Sequence, residues 1–197
     1  MITLGRVPIY LGFINFARIL EEHSVPYPLS LLGWFAYPIM GLRSRSIKEI
    51  DLEIRSVENF DSAVDELWNS VVENSVVAVV KNSAYLNWRY GKCSGCWFRR
   101  LVAYRDKRLE GFVILRTIGP RRGSALFELL ARDDNPEIMR ALLLQASREL
   151  GVERIGHITA SFPAESRAAA VLREMGFKSW GARFWSTPEM IVASPPK

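Results

Sequence analysis

The feature that most constrains the fold is a pair of apolar runs, residues 97–104 and 109–117, separated only by the charged turn Arg105-Asp106-Lys107-Arg108. Two such runs around a short polar turn form a β-hairpin. A third run, residues 124–131, follows the loop Gly119-Pro-Arg-Arg-Gly123 and extends the sheet antiparallel. Beyond it the pattern changes. Asp134-Asn135-Pro136 opens a helix in which Ile138, Ala141, Leu142 and Leu150 precede a stop at Gly151. A strand over 154–160, a helix over 163–175 ended by Gly176 and a strand over 178–186 follow. Upstream, residues 50–57 alternate as a half-buried strand. Asp61 then caps a helix over 62–73 whose Val64, Leu67, Trp68 and Val71 form one apolar face. Residues 82–90 receive no element of their own. The order predicts a mixed α/β sheet, antiparallel in its N-terminal half, with a parallel pair in its C-terminal half and helices flanking it.

The 197 residues suffice for one core and an appendage. Lys and Arg exceed Asp and Glu by 26 to 21 but lie scattered, so no nucleic-acid partner is expected. Cys93 and Cys96 have the spacing of half a zinc site, yet no second pair exists and His23 and His157 are distant, so no metal is expected. The first ten residues lack the pattern of a secretory signal, and a cytoplasmic location is expected. Residues 24–42 contain no charge, but Pro26, Pro28 and Pro38 leave only residues 29–36 as an apolar run, too short to span a bilayer. A helix there packs on a neighbouring domain, or else docks at a membrane surface through Leu31, Leu32, Trp34 and Phe35; the first is expected. No Gly-rich Walker loop or dinucleotide fingerprint is present.

Two local patterns carry a family resemblance. Met175-Gly176-Phe177 after an Ala-rich helix is similar to the helix-Gly-Phe junction of the GNAT acetyltransferases, and Tyr85-Leu-Asn-Trp-Arg-Tyr90 resembles a segment of large bacterial GNAT-like proteins. In that subgroup two lobes are often fused, and residues 4–10 resemble the closing strand of a preceding lobe. The resemblance implies residues 1–48 as an apolar remnant of such a lobe or a connection to it, 49–190 as a GNAT-like domain and 191–197 as a tail. Partners would be a preceding lobe, or a second copy through the apolar segment, and a small amine acceptor.

The resemblance also implies acetyl-CoA as acyl donor. Its diphosphate would meet backbone N–H groups at a helix N-terminus through a Gln/Arg-x-x-Gly-x-Gly/Ala pattern. Here Arg132 matches the first position, and Asn135 and Glu137 replace small residues. Asp133, Asp134 and Glu137 would each repel the diphosphate by about 3 kcal/mol at ~6 Å, and acidic residues there also serve as helix caps. Glu128, on the strand that often carries a base, is the candidate catalytic residue or else an outward or capping carboxylate. The family's acid position falls on Leu172, which has no proton to give. Tyr85, Asn87 and Arg89 are candidates for binding a polar acceptor, or for packing. His157 reads as a core histidine or a base.

Overall fold

The computed structural model describes residues 7–15, 51–72, 79–91, 97–117 and 123–180. The charge-free segment, the cysteine pair, residues 119–122 and everything past Trp180 lie outside these. One seven-stranded sheet organises the rest, in the spatial order β2-β3-β4-β5-β6-β1-β7. Its strands are β1 (Ile9–Phe13), β2 (Glu53–Ser56), β3 (Trp97–Arg105), β4 (Arg108–Thr117), β5 (Ser124–Ala131), β6 (His157–Ser161) and β7 (Lys178–Trp180). The helices are α1 (Ala63–Val72), α2 (Ser83–Tyr90), α3 (Pro136–Val152) and α4 (Arg167–Glu174).

The hairpin forms as the sequence predicts. Asp106 and Lys107 both adopt positive φ, 49° and 65°, the twist that a two-residue turn needs to match its flanking strands. β5 pairs antiparallel with β4 and parallel with β6, which gives the mixed sheet. One face carries Leu101, Val113, Leu129 and Ala131 against Ile138, Leu142 and Leu143 of α3 and Ala169 and Leu172 of α4. The opposite face carries Val102, Phe112, Ile114 and Leu130 against Leu67 and Trp68 of α1 and Leu86 and Tyr90 of α2. Each leucine buried there contributes about 1.5–3 kcal/mol, which holds the helices on the sheet.

Several boundaries differ from the sequence reading. The first strand of the domain is four residues, 53–56, because its ladder to β3 begins at Glu53 opposite Tyr104. The strand read from 154 begins at His157, and the helix read from Pro163 begins at Arg167, because Ser166 accepts from the Ala169 N–H and sets the cap. Residues 83–90, given no element, form α2, with Asn82 accepting from the Tyr85 N–H at 2.8 Å.

β1 falls within the segment expected as a remnant, and it sits inside the sheet, antiparallel to both β6 and β7. The junction after α4 explains how it is held. Gly176 has φ 95°, and Phe177 N–H bonds back to Leu172 C=O at 3.0 Å, a left-handed helix stop. That stop turns Phe177 onto β1, where a Cβ at Gly12 would come within 2.5 Å of its ring. Gly12→Val is therefore expected to destabilise the chain by about 1–3 kcal/mol through overpacking. Urea denaturation measures this, and an unchanged midpoint would mean that β1 does not lie under Phe177.

Candidate functional site

The site begins where β5 and β6 part. Their parallel ladder runs from Ser124 opposite Ile158 to Leu126 opposite Ala160, while β5 continues to Ala131. Beyond Leu126 the β6-facing edge of β5 therefore has no ladder partner among the described residues. Here the β4 register also slips: Ile114 faces Glu128 and Leu115 faces Leu126, so Phe127 is the extra residue of a bulge. Residues 125–127 of β5, 159–161 of β6 and Ile9 of β1 line a cleft of about 440 Å3.

The bulge turns Phe127 toward the face covered by α2, where its ring meets those of Tyr90 and Phe98 edge-on, at 6.1 and 5.7 Å. Glu128 follows and is only 8% exposed. Both carboxylate oxygens have partners: Tyr90 Oη donates to Oε1 at 2.7 Å and Lys81 Nζ to Oε2 at 2.5 Å. Glu128 is thus neither outward-facing nor a cap. Burial, and then the bond to Glu128, push the Tyr90 phenol well above its ordinary 10.0. Arg89 Nε donates to the same phenol oxygen at 3.1 Å.

Packing from three sides fixes this network. Asn87 accepts from the Phe60 N–H and donates to the Phe60 C=O, both at 2.8 Å, so it anchors α2 to the loop before α1. Asp65 of α1 accepts from the Ser83 N–H at 2.6 Å and the Ser83 hydroxyl at 3.0 Å, which ties down the start of α2. At its other end, buried Arg100 donates from Nε to the Tyr90 C=O at 2.9 Å and from Nη1 to the Glu58 C=O at 2.5 Å. Desolvation lowers the Arg100 pKa below its ordinary value. Trp88 and Arg89 are exposed on α2, three and four residues after Tyr85, which is partly buried against the core. The Tyr85 and Trp88 rings are 5.9 Å apart, the Arg89 guanidinium lies 5.9 Å from the Tyr85 ring centre, and Trp88 is 78% exposed.

The structure divides the sequence-predicted residues. Glu128 and Arg89 meet through Tyr90, and Tyr85 stands beside Arg89. Asn87 is committed to backbone. Arg132 turns inward: Nη1 donates to Ser70 Oγ at 2.9 Å, Nη2 to Leu109 C=O at 3.0 Å, and Nε lies 3.6 Å from Glu110 Oε1. Asn135 caps α3, its Oδ1 accepting from the Glu137 and Ile138 N–H groups at 2.9 and 3.4 Å. Leu172 is fully buried in the core. His157, half-buried at the start of β6, packs against Gly123, where a Cβ would overlap its ring. The sequence reading missed Lys81 and Tyr90. Tyr90 lay four residues after Leu86, on the inward face, whereas Lys81 carried no signal.

A mixed sheet with one short parallel pair, a bulged strand in that pair and helices on both faces make up a GNAT-like fold. Solved structures with this fold include the following three. Saccharomyces cerevisiae N-myristoyltransferase with bound myristoyl-CoA aligns at TM-score 0.59 and 11% identity, over 88% of this chain and 45% of its own. A tandem GNAT protein from the clavulanic acid biosynthesis pathway aligns at 0.51 and 14%, over 89% and 50%. A functionally unknown conserved protein from Staphylococcus epidermidis ATCC 12228 aligns at 0.51 and 15%, over 90% and 58%. The chain thus spans about half the length of these proteins. No protein-family model matches the sequence, and no curated protein sequence matches it. Among the described residues no helix is long and apolar enough to cross a membrane.

Proposed function

We propose that this chain is an acyltransferase-type lobe that acts on an amine, with an acyl-CoA thioester as donor. The observation that carries this reading is Glu128, a buried carboxylate beside the bulge where β5 leaves β6. An ammonium must lose a proton before its nitrogen can attack a carbonyl, and a carboxylate within reach can take it. Lys81 indicates what that carboxylate accepts, a primary ammonium on Oε2. Tyr90 holds Oε1 and leaves Oε2 as the oxygen that exchanges partners.

The residues present suit one part of acyl-CoA and not the other. Bound there, the thioester would supply an activated acyl group. The edge of β5 beyond Leu126, without a ladder partner among the described residues, and the apolar cleft beside it match an extended amide-bearing arm, which can pair with a strand edge. The start of α3 does not match a diphosphate. Asn135 already occupies two of its N–H groups, and Asp133, Asp134 and Glu137 are exposed around it. That mismatch favours a second reading, a lobe that binds an acceptor or partner and leaves the chemistry to another lobe.

Isothermal titration of the chain with acetyl-CoA, and in parallel with S-acetylpantetheine, separates the two. The first reading expects saturable binding of both at micromolar levels, with the diphosphate adding less than about tenfold. A folded chain that binds neither supports the second.

A further inference from the structure

The acceptor's chemistry is narrowed by Arg89. Its Nε is engaged by Tyr90, while its two Nη groups have no partner among the described residues, and no carboxylate there pairs with it. The side chain is nevertheless held. Tyr85 and Tyr90 flank the guanidinium, with ring centres 5.9 and 5.5 Å away. Arg89 Nε and Glu128 Oε1 bond to the same phenol oxygen, at 3.1 and 2.7 Å, so the fixed cation and the fixed anion stand two hydrogen bonds apart.

We infer that the acceptor is an amine that also bears a carboxylate close to it, as an α-amino acid does, its ammonium on Glu128 and its carboxylate on the Arg89 Nη fork. This rests on Glu128 being the acceptor's anchor, as in the reading above. The ammonium would replace Lys81 on Oε2, one cation for another, so the buried carboxylate never stands uncompensated. A planar carboxylate suits the two Nη donors because both oxygens can be bound at once. An isolated amine would satisfy Glu128 and leave the fork unused. Tyr85 and exposed Trp88, on the same helix face, would cover an apolar side group of such an acceptor.

The test is a binding equilibrium measured without any acyl donor, so it does not depend on whether the chain transfers acyl groups. L-phenylalanine and phenethylamine differ only by the carboxylate. Isothermal titration should show L-phenylalanine binding at least about tenfold tighter. Arg89→Gln, at an exposed position where folding is not at stake, should remove that advantage and leave phenethylamine unchanged. Arg89→Lys should restore part of it, a charge without the fork. Equal affinity of the two probes for the native chain would overturn the inference, as would an advantage that survives Arg89→Gln. A carboxylate preference in a chain inactive toward acetyl-CoA would keep this inference and discard catalysis alone.

Discussion

Arg132→Ala is expected to lower the free energy of unfolding by about 3–5 kcal/mol, the cost of stranding the partner of a buried charge. Arg132 and Glu110 are 8% and 9% exposed, and the guanidinium also satisfies Ser70 and the Leu109 carbonyl. Its truncation leaves the Glu110 carboxylate buried without a counter-charge and removes two hydrogen bonds. Their separation, 3.6 Å from Nε to Oε1, is that of an ion pair rather than a tight hydrogen bond, and among the described residues Nε is a buried side-chain atom without a hydrogen-bond partner. Arg132→Met combined with Glu110→Gln, which removes both charges, should therefore be less destabilised than the sum of the single changes. Denaturant unfolding of the native chain, Arg132→Met, Glu110→Gln and the double variant measures the coupling. A small loss of stability in Arg132→Ala, with a large loss of acetyl-CoA affinity, would instead make Arg132 a diphosphate ligand.

Sequence and structure diverge for reasons visible at particular residues. The hairpin, β5, α1 and α3 were legible because each has a strong period and its own punctuation, such as Asn135-Pro136 before α3. α2 was not. It has eight residues, two of them buried, and the aromatic and polar side chains on its outer face blur the helical period. No strand's own residues say which neighbours it takes, so the place of β1 between β6 and β7 is visible only in its ladders, with Gly12 leaving room for the Phe177 ring. Glu128 was found as a candidate, but its environment was not. The Phe127 bulge shifts the alternation of β5 by one residue, so a carboxylate that a regular strand could place outward lies under α2.

Glu128→Gln tests whether that carboxylate handles protons. If it takes one from the acceptor amine, acyl transfer from acetyl-CoA to amines should fall about 10²–10⁴-fold, measured as thiol release. The amide can still accept from Tyr90, so the fold should persist, while Lys81, now facing a donor, turns to solvent. Tyr90 reports the change without any substrate. Burial holds its phenol above the ordinary 10.0 in either protein, but the charge of Glu128 adds to the shift only in the native chain. A raised phenol pKa means that above pH ~10 the unfolded state binds fewer protons than the folded one, so stability falls as pH rises from there toward the folded pKa. The Gln variant, with a smaller shift, should lose less stability over that window, and its phenol should titrate closer to 10.0 in an ultraviolet titration. Unchanged thiol release with a changed Tyr90 titration would make Glu128 a structural anchor of α2. Loss of both together would join the buried network to the chemistry.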